Sequence, residues 1–223
     1  MNVNAHKTHT GVGPIPTVVP TSTTYQVVGH GGLRALWVVF GIMVIASAIF
    51  ALRSSNIIIS RRLYHVITTL TTIISALSYF AMASGHATAF NCQTIREGHK
   101  HVPDIRRHVC REVFWARFVD WSLSIPLLLL ELCLLAGIDG ARTLMAIVAV
   151  LVMVLSGLFA AFGRDNTAQT WGWFAIACVS YMFVIWYVAV HGSKTVDAKG
   201  AKVTKLFSSM ATFILILWTI YPM

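Results

Sequence analysis

Six runs of about twenty apolar residues dominate this chain, and that is the length an α-helix needs to cross a bilayer. They cover residues 33–52, 63–84, 114–136, 141–162, 171–190 and 205–223. A backbone surrounded by hydrocarbon must satisfy its own polar groups, so runs of this kind are expected to be helices. The 223 residues are 57% hydrophobic and only 11% charged, far from the balance of a water-soluble domain. Connections are mostly short, so consecutive helices should run antiparallel in one bundle. The predicted fold class is therefore an all-α membrane protein, with a polar N-terminal tail over 1–32 and a transmembrane domain over 33–223. The tail, which includes PIPTVVPTSTTY, has no apolar centre of the kind a cleaved signal carries. The run from Leu33 is accordingly expected to act as the first anchor.

A net charge of +9 does not point to nucleic acid, because the basic residues flank the apolar runs. The flanking lysines and arginines divide evenly, eight to a side, so their count alone leaves the orientation open. The tight clusters at 53–62 and 192–205 fit a cytoplasmic face and place the N-terminus outside, with the plasma membrane as the expected location.

The third run, WARFVDWSLSIPLLLLELCLLA, breaks the apolar rule three times, at Arg117, Asp120 and Glu131. Ionisable groups at bilayer depth cost several kcal/mol and usually mark a proton or ion path. At about 100° per residue, Asp120 and Glu131 return to nearly the same helix face, roughly 16 Å apart along the axis. Ser124 follows Asp120 by one turn. The pattern reads as one wetted helix face carrying two proton sites in series.

Four cysteines divide into a loop pair, Cys92 and Cys110, and two within spans, Cys133 and Cys178. A Cys92–Cys110 disulfide would form if that loop is extracellular; two free thiols are the alternative. His99, His101 and His108 share the loop, but their spacing matches no closed zinc site, so no metal ligands are assigned. No catalytic residues are assigned, and the chain is not read as an enzyme.

The third run resembles the third helix of the microbial rhodopsins, the retinal-binding seven-helix proteins, and is most similar to their fungal branch of rhodopsins and opsin-related proteins. HVITTLTTIISALSYFAMASGH resembles their second helix, MVLSGLFAAFG the fourth, WGWFAIACVSY the fifth and ILWTIYP the sixth. The likeness extends from about Tyr25 to the last residue.

The resemblance implies roles. Asp120 falls at the Schiff-base counterion and primary proton acceptor, Arg117 at the arginine that gates proton release, and Glu131 at the carboxylic proton donor of pumping members. Tyr79 falls at a second-helix tyrosine near the counterion, and Ser124 joins the same proton pathway. Trp121, Ile125, Met153, Gly157, Trp173, Ser180, Trp218, Tyr221 and Pro222 fall at positions around retinal. Beside Arg117, Asp120 is expected to hold its charge, whereas Glu131, enclosed by leucines, is expected to hold its proton.

Three departures stand out. Pigments commonly carry threonine at Ile125 and aspartate at Val150, joined between the third and fourth helices, and here both positions are apolar. Ser180 is smaller and more polar than the usual ring-contacting residue. Covalent retinal chemistry needs a buried lysine amine, yet Lys7, Lys100, Lys194, Lys199, Lys202 and Lys205 all lie outside the spans or at their mouths. The sequence ends at Met223 within the apolar run FILILWTIYPM, so the expectation is a bundle cut short after six of seven helices, with covalent attachment of retinal impossible in the chain as given.

The leading functional expectation is a truncated form of a retinal-binding, light-driven proton pump or photoreceptor, with all-trans retinal as cofactor of the full form. The alternative is an opsin-related membrane protein without photochemistry, in a stress or chaperone-like role. An unrelated six-helix transporter or channel is the third reading. Expected partners are the lipid bilayer, protons and, given a seventh helix, retinal. No nucleic acid is expected, and a homo-oligomer is compatible with the sequence.

Overall fold

The computed structural model describes residues 22–55, 57–99, 102–164, 167–197 and 200–220. Strand β1 (Ser22–Gln26) leads into helices α1 (His30–Ser55) and α2 (Ile59–Ala83). Strands β2 (Thr88–His99) and β3 (Val102–Phe114) follow, then α3 (Trp115–Ala136) and α4 (Gly140–Phe162). The chain continues through α5 (Ala168–Trp186), a π-helical turn (Tyr187–Gly192), α6 (Ser193–Asp197) and α7 (Ala201–Ile220).

Six helical spans among the described residues are long and apolar enough to cross a membrane, in the order expected. Their ends differ from the sequence reading. Helix α1 begins at His30, three residues inside the segment assigned to the polar tail. The expected fifth span, 171–190, starts at Ala168 and runs without a break through the π turn and α6 to Asp197, a span of 30 residues. Gly192 allows this path to pack, because a Cβ there would overlap the Phe207 ring of α7. The sixth span, expected over 205–223, begins at Ala201.

Local chemistry sets several of these ends. Gly137 takes a left-handed φ of 75° and its N–H donates to the Cys133 carbonyl at 2.8 Å, closing α3. The Asp139 carboxylate accepts the Arg142 N–H at 2.9 Å to open α4, and Thr167 caps α5 through the Thr170 N–H.

The all-helical expectation needs a correction. The polar region between the second and third spans is a β-hairpin, and β1 adds to it as a parallel strand, giving the sheet order β1-β3-β2. Cys92 lies opposite Cys110, and the two are disulfide-bonded. Asn91 and Gln93, two residues apart, share one face of β2. Asn91 Nδ2 donates to the Ala161 and Gly163 carbonyls at 3.3 and 3.1 Å, and Gln93 Nε2 to Gly163 at 3.3 Å. Arg111 adds a bond to Ala161 at 3.4 Å. The last carbonyls of a helix have no intrahelical donors, so the hairpin serves as the C-terminal cap of α4.

Helix α3 is central, packing against α2, α4, α6 and α7, while α1 packs along α2. The larger apolar cluster joins α3, α4, α5 and α7 around Leu129, Ala146, Val150 and Val184. A smaller one gathers Leu36, Met82, Ala83, Ala87 and Ala116 near the hairpin. Outward faces carry exposed Val, Ile, Leu and Phe, as lipid contact demands.

Candidate functional site

The polar side chains of α3 meet α2. Asp120 is 6% exposed, and Ser75 Oγ donates to its Oδ1 at 2.9 Å. One turn toward the hairpin, Ser78 Oγ donates to the Ala116 carbonyl at 2.9 Å. Two turns the other way, Thr68 Oγ1 lies 3.2 and 3.3 Å from the two oxygens of Glu131, and donates to the Tyr64 carbonyl at 2.9 Å. Between these points Thr71 and Thr72 donate to carbonyls of their own helix. Each carboxyl thus faces a hydroxyl of α2, and the two hydroxyls are seven residues apart on one helical stripe.

The other residues expected on the proton pathway are Ser124, Arg117 and Tyr79. Ser124 Oγ donates to the Asp120 backbone carbonyl at 2.7 Å. The Arg117 guanidinium stands over the Phe114 ring, 5.9 Å from its centre. Tyr79 packs against the smaller apolar cluster, which includes Ala116.

Of the residues expected around retinal, Ile125 is buried in the large cluster, and Trp121, Met153 and Trp218 pack against it from three helices. Trp121 meets Phe118 edge-on at 5.5 Å, and Trp173 lies 4.9 Å from Phe159. At Gly157 an added Cβ would meet only the Phe118 ring, at 3.7 Å, which leaves the α4 backbone open to a close apolar group. Ser180 of α5 is half-buried. Tyr221 and Pro222 lie outside the described residues. A narrow apolar cavity is lined by Leu128, Leu132, Val188, Ala211, Leu215 and Trp218, so it sits between the Glu131 region of α3 and Trp218. Of the residues expected around retinal, Trp218 lines this cavity. Lys194, Lys202 and Lys205 are exposed and do not line it.

Sequence reasoning missed Thr68, Ser75 and Ser78, although their spacing in TTLTTIISALS gives helical steps of seven and three. It also missed Tyr181, whose hydroxyl joins α5 to α7 through the Leu215 carbonyl at 2.8 Å and Thr219 Oγ1 at 2.6 Å. His65 is a third omission: its Nδ1 is buried without a hydrogen-bond partner, one turn from Thr68.

The family model described as bacteriorhodopsin-like protein matches residues 34–223. Opsin-1 of Neurospora crassa is 64% identical over 211 residues, which is 94% of this chain and 69% of that protein. The opsin-like protein carO of Fusarium fujikuroi is 28% identical over 83% of this chain and 59% of its own length. The crystal structure of a light-driven proton pump from Leptosphaeria maculans superposes with a TM-score of 0.85 at 53% identity, covering 89% of this chain and 80% of that one. The chain thus spans 59–69% of these two curated relatives. With the family model matching 190 of the 223 residues, this chain belongs to the bacteriorhodopsin-like family of microbial rhodopsins.

Proposed function

We propose that this protein is a retinal-binding opsin that moves protons outward across the plasma membrane in light. The observation that carries the reading is the pair of carboxyls, Asp120 and Glu131, each set against an α2 hydroxyl on one interface of α3. Asp120 is the acceptor on the hairpin side and Glu131 the donor on the opposite side.

Retinal, when bound, supplies light absorption and a change of shape. Trp121, Met153, Gly157, Trp173, Ser180 and Trp218 would hold it, with Ile125 as an apolar wall. Covalent attachment requires a lysine amine at bilayer depth. The described lysines are exposed, so the reading assigns that amine to a segment outside the described residues, in keeping with the greater length of the relatives.

The chain's own groups account for proton handling. Thr68 has a single hydroxyl proton, and its nearest acceptor is the Tyr64 carbonyl at 2.9 Å. The same hydroxyl stands 3.2 and 3.3 Å from the two Glu131 oxygens, and the reading has Glu131 hold its proton beside it between turnovers. The reading assigns Arg117, one turn from Asp120 on α3, to the release side of the acceptor.

Orientation follows from the hairpin. Disulfides persist in oxidising compartments, so the Cys92–Cys110 bond supports a reading with the hairpin, and the N-terminal strand paired with β3, outside. This breaks the even division of lysines and arginines.

The buried apolar pair Ile125 and Val150 favours a second reading, an opsin-related protein without photochemistry. Reconstituting the full-length protein with all-trans retinal distinguishes the two. A visible band with light-driven acidification outside vesicles is the outcome expected of a pump, and a protein that stays colourless in excess retinal refutes it.

A further inference from the structure

Helix α3 has apolar contacts on its α4 side and polar ones on its α2 side. Ile125 and Val150, where pigments commonly join a hydroxyl to a carboxyl, are 8% and 0% exposed and lie in one apolar cluster. The seam with α2 has the reverse character. A serine or threonine in a helix interior usually donates to its own i−4 carbonyl, and Thr68, Thr69, Thr71 and Thr72 do so here. Ser75 and Ser78 do not: both donate across to α3, Ser78 to the backbone of Ala116 and Ser75 to the Asp120 carboxylate. Ser124, on the acceptor's own helix, donates to the Asp120 backbone carbonyl.

We propose that Ser75 is a positioning residue for the proton acceptor, and that α2 governs the orientation and charge of Asp120. The inference rests on the reading of Asp120 as acceptor. A hydroxyl donating to a carboxylate is a charge-assisted bond, about twice as strong as a neutral one. At 2.9 Å it draws Oδ1 toward α2 and concentrates the negative charge there. When Asp120 takes up a proton, the Ser75 hydroxyl loses a charged acceptor and must turn, so transfer to Asp120 is coupled to a movement on α2. The control is already in the fold: Ser78 crosses the same seam one turn away but touches only backbone.

The test uses the full-length protein with Ser75→Ala, Ser75→Thr and Ser78→Ala. The Asp120 infrared signal is isolated by subtracting the spectrum of Asp120→Asn. In protein without retinal, Ser75→Ala is expected to shift the Asp120 carboxyl bands, Ser75→Thr to restore them, and Ser78→Ala to leave them unchanged. In protein with retinal, Ser75→Ala is expected to move the visible maximum and to change the rate of proton acceptance roughly tenfold, the scale of one hydrogen bond to a charged group. Unshifted bands in Ser75→Ala overturn the proposal, as does an equal shift in Ser78→Ala. If the wild type takes up no retinal yet the bands shift as described, the positioning role stands and the pump reading alone fails.

Discussion

The apolar junction between α3 and α4 can be measured by restoring the polar pair it lacks. Val150→Asp places a carboxyl at a site with no exposure, beside a cluster containing Ile125, Val154 and Val184. An unpartnered buried polar group costs about 1–3 kcal/mol. The lost methyl contacts add about 1 kcal/mol, in the range of small core truncations. Ile125→Thr is milder, because the new hydroxyl can bond a carbonyl one turn back on α3, and removing about one methylene there should cost about 1 kcal/mol. In the double variant the two polar groups can meet. Interhelical hydrogen bonds in membrane proteins average about 0.6 kcal/mol and reach about 1.7, so the pair should recover roughly that much relative to the sum of the singles. The assay is reversible unfolding in mixed micelles followed by circular dichroism, run as a double-mutant cycle. Additivity of the two substitutions within about 0.3 kcal/mol would refute the reasoning, since it would mean that positions 125 and 150 do not face one another.

Three further outcomes are expected. Asp120→Asn should shift the visible band to the red and abolish outward pumping, read from absorbance and vesicle pH; normal pumping would remove Asp120 from the acceptor role. Glu131→Gln should slow recovery of the dark state by at least tenfold, the scale on which general acids contribute, while leaving colour unchanged, as flash photolysis would report. In intact cells, an impermeant maleimide should label Cys92 and Cys110 only after reduction; labelling confined to permeabilised cells would reverse the proposed orientation.

The features most legible in the sequence were those with a large energetic penalty attached. Asp120 and Glu131 stand out because a carboxyl in an apolar span is costly, and the six spans because apolar residues dominate each for about twenty positions. Ser75 and Thr68 were not legible. A hydroxyl in a membrane helix is cheap, since it can bond its own backbone, and nothing in the letters distinguishes Thr72, which does so, from Ser75, which reaches across. The hairpin was read as a loop because Arg, His and Cys crowd 91–111, and its strands are stabilised by pairing between segments rather than by composition. The ends of the fifth span were obscured for another reason. Lys194 and Asp197 look like loop residues, yet the helix carries them past the apolar core to its surface. Of the residues assigned to the pocket, Trp121, Met153 and Trp218 pack against one apolar cluster.

Strand β3 ends at Phe114 and α3 begins at Trp115, with no residue between them to absorb a change of direction. The sheet thereby sets the rotational phase of α3 as well as its start. The strand is bonded on both sides, by β1 and β2, and the hairpin is fastened to the end of α4. A single residue inserted at this junction would turn every side chain of α3 by about 100° and advance it by about 1.5 Å. Asp120 would leave Ser75 and Glu131 would leave Thr68 in the same motion. The sheet therefore acts as an indexing stop for a helix whose two carboxyls lie about one and four turns further along, and variation in hairpin length is tolerable at its tip but not at its root.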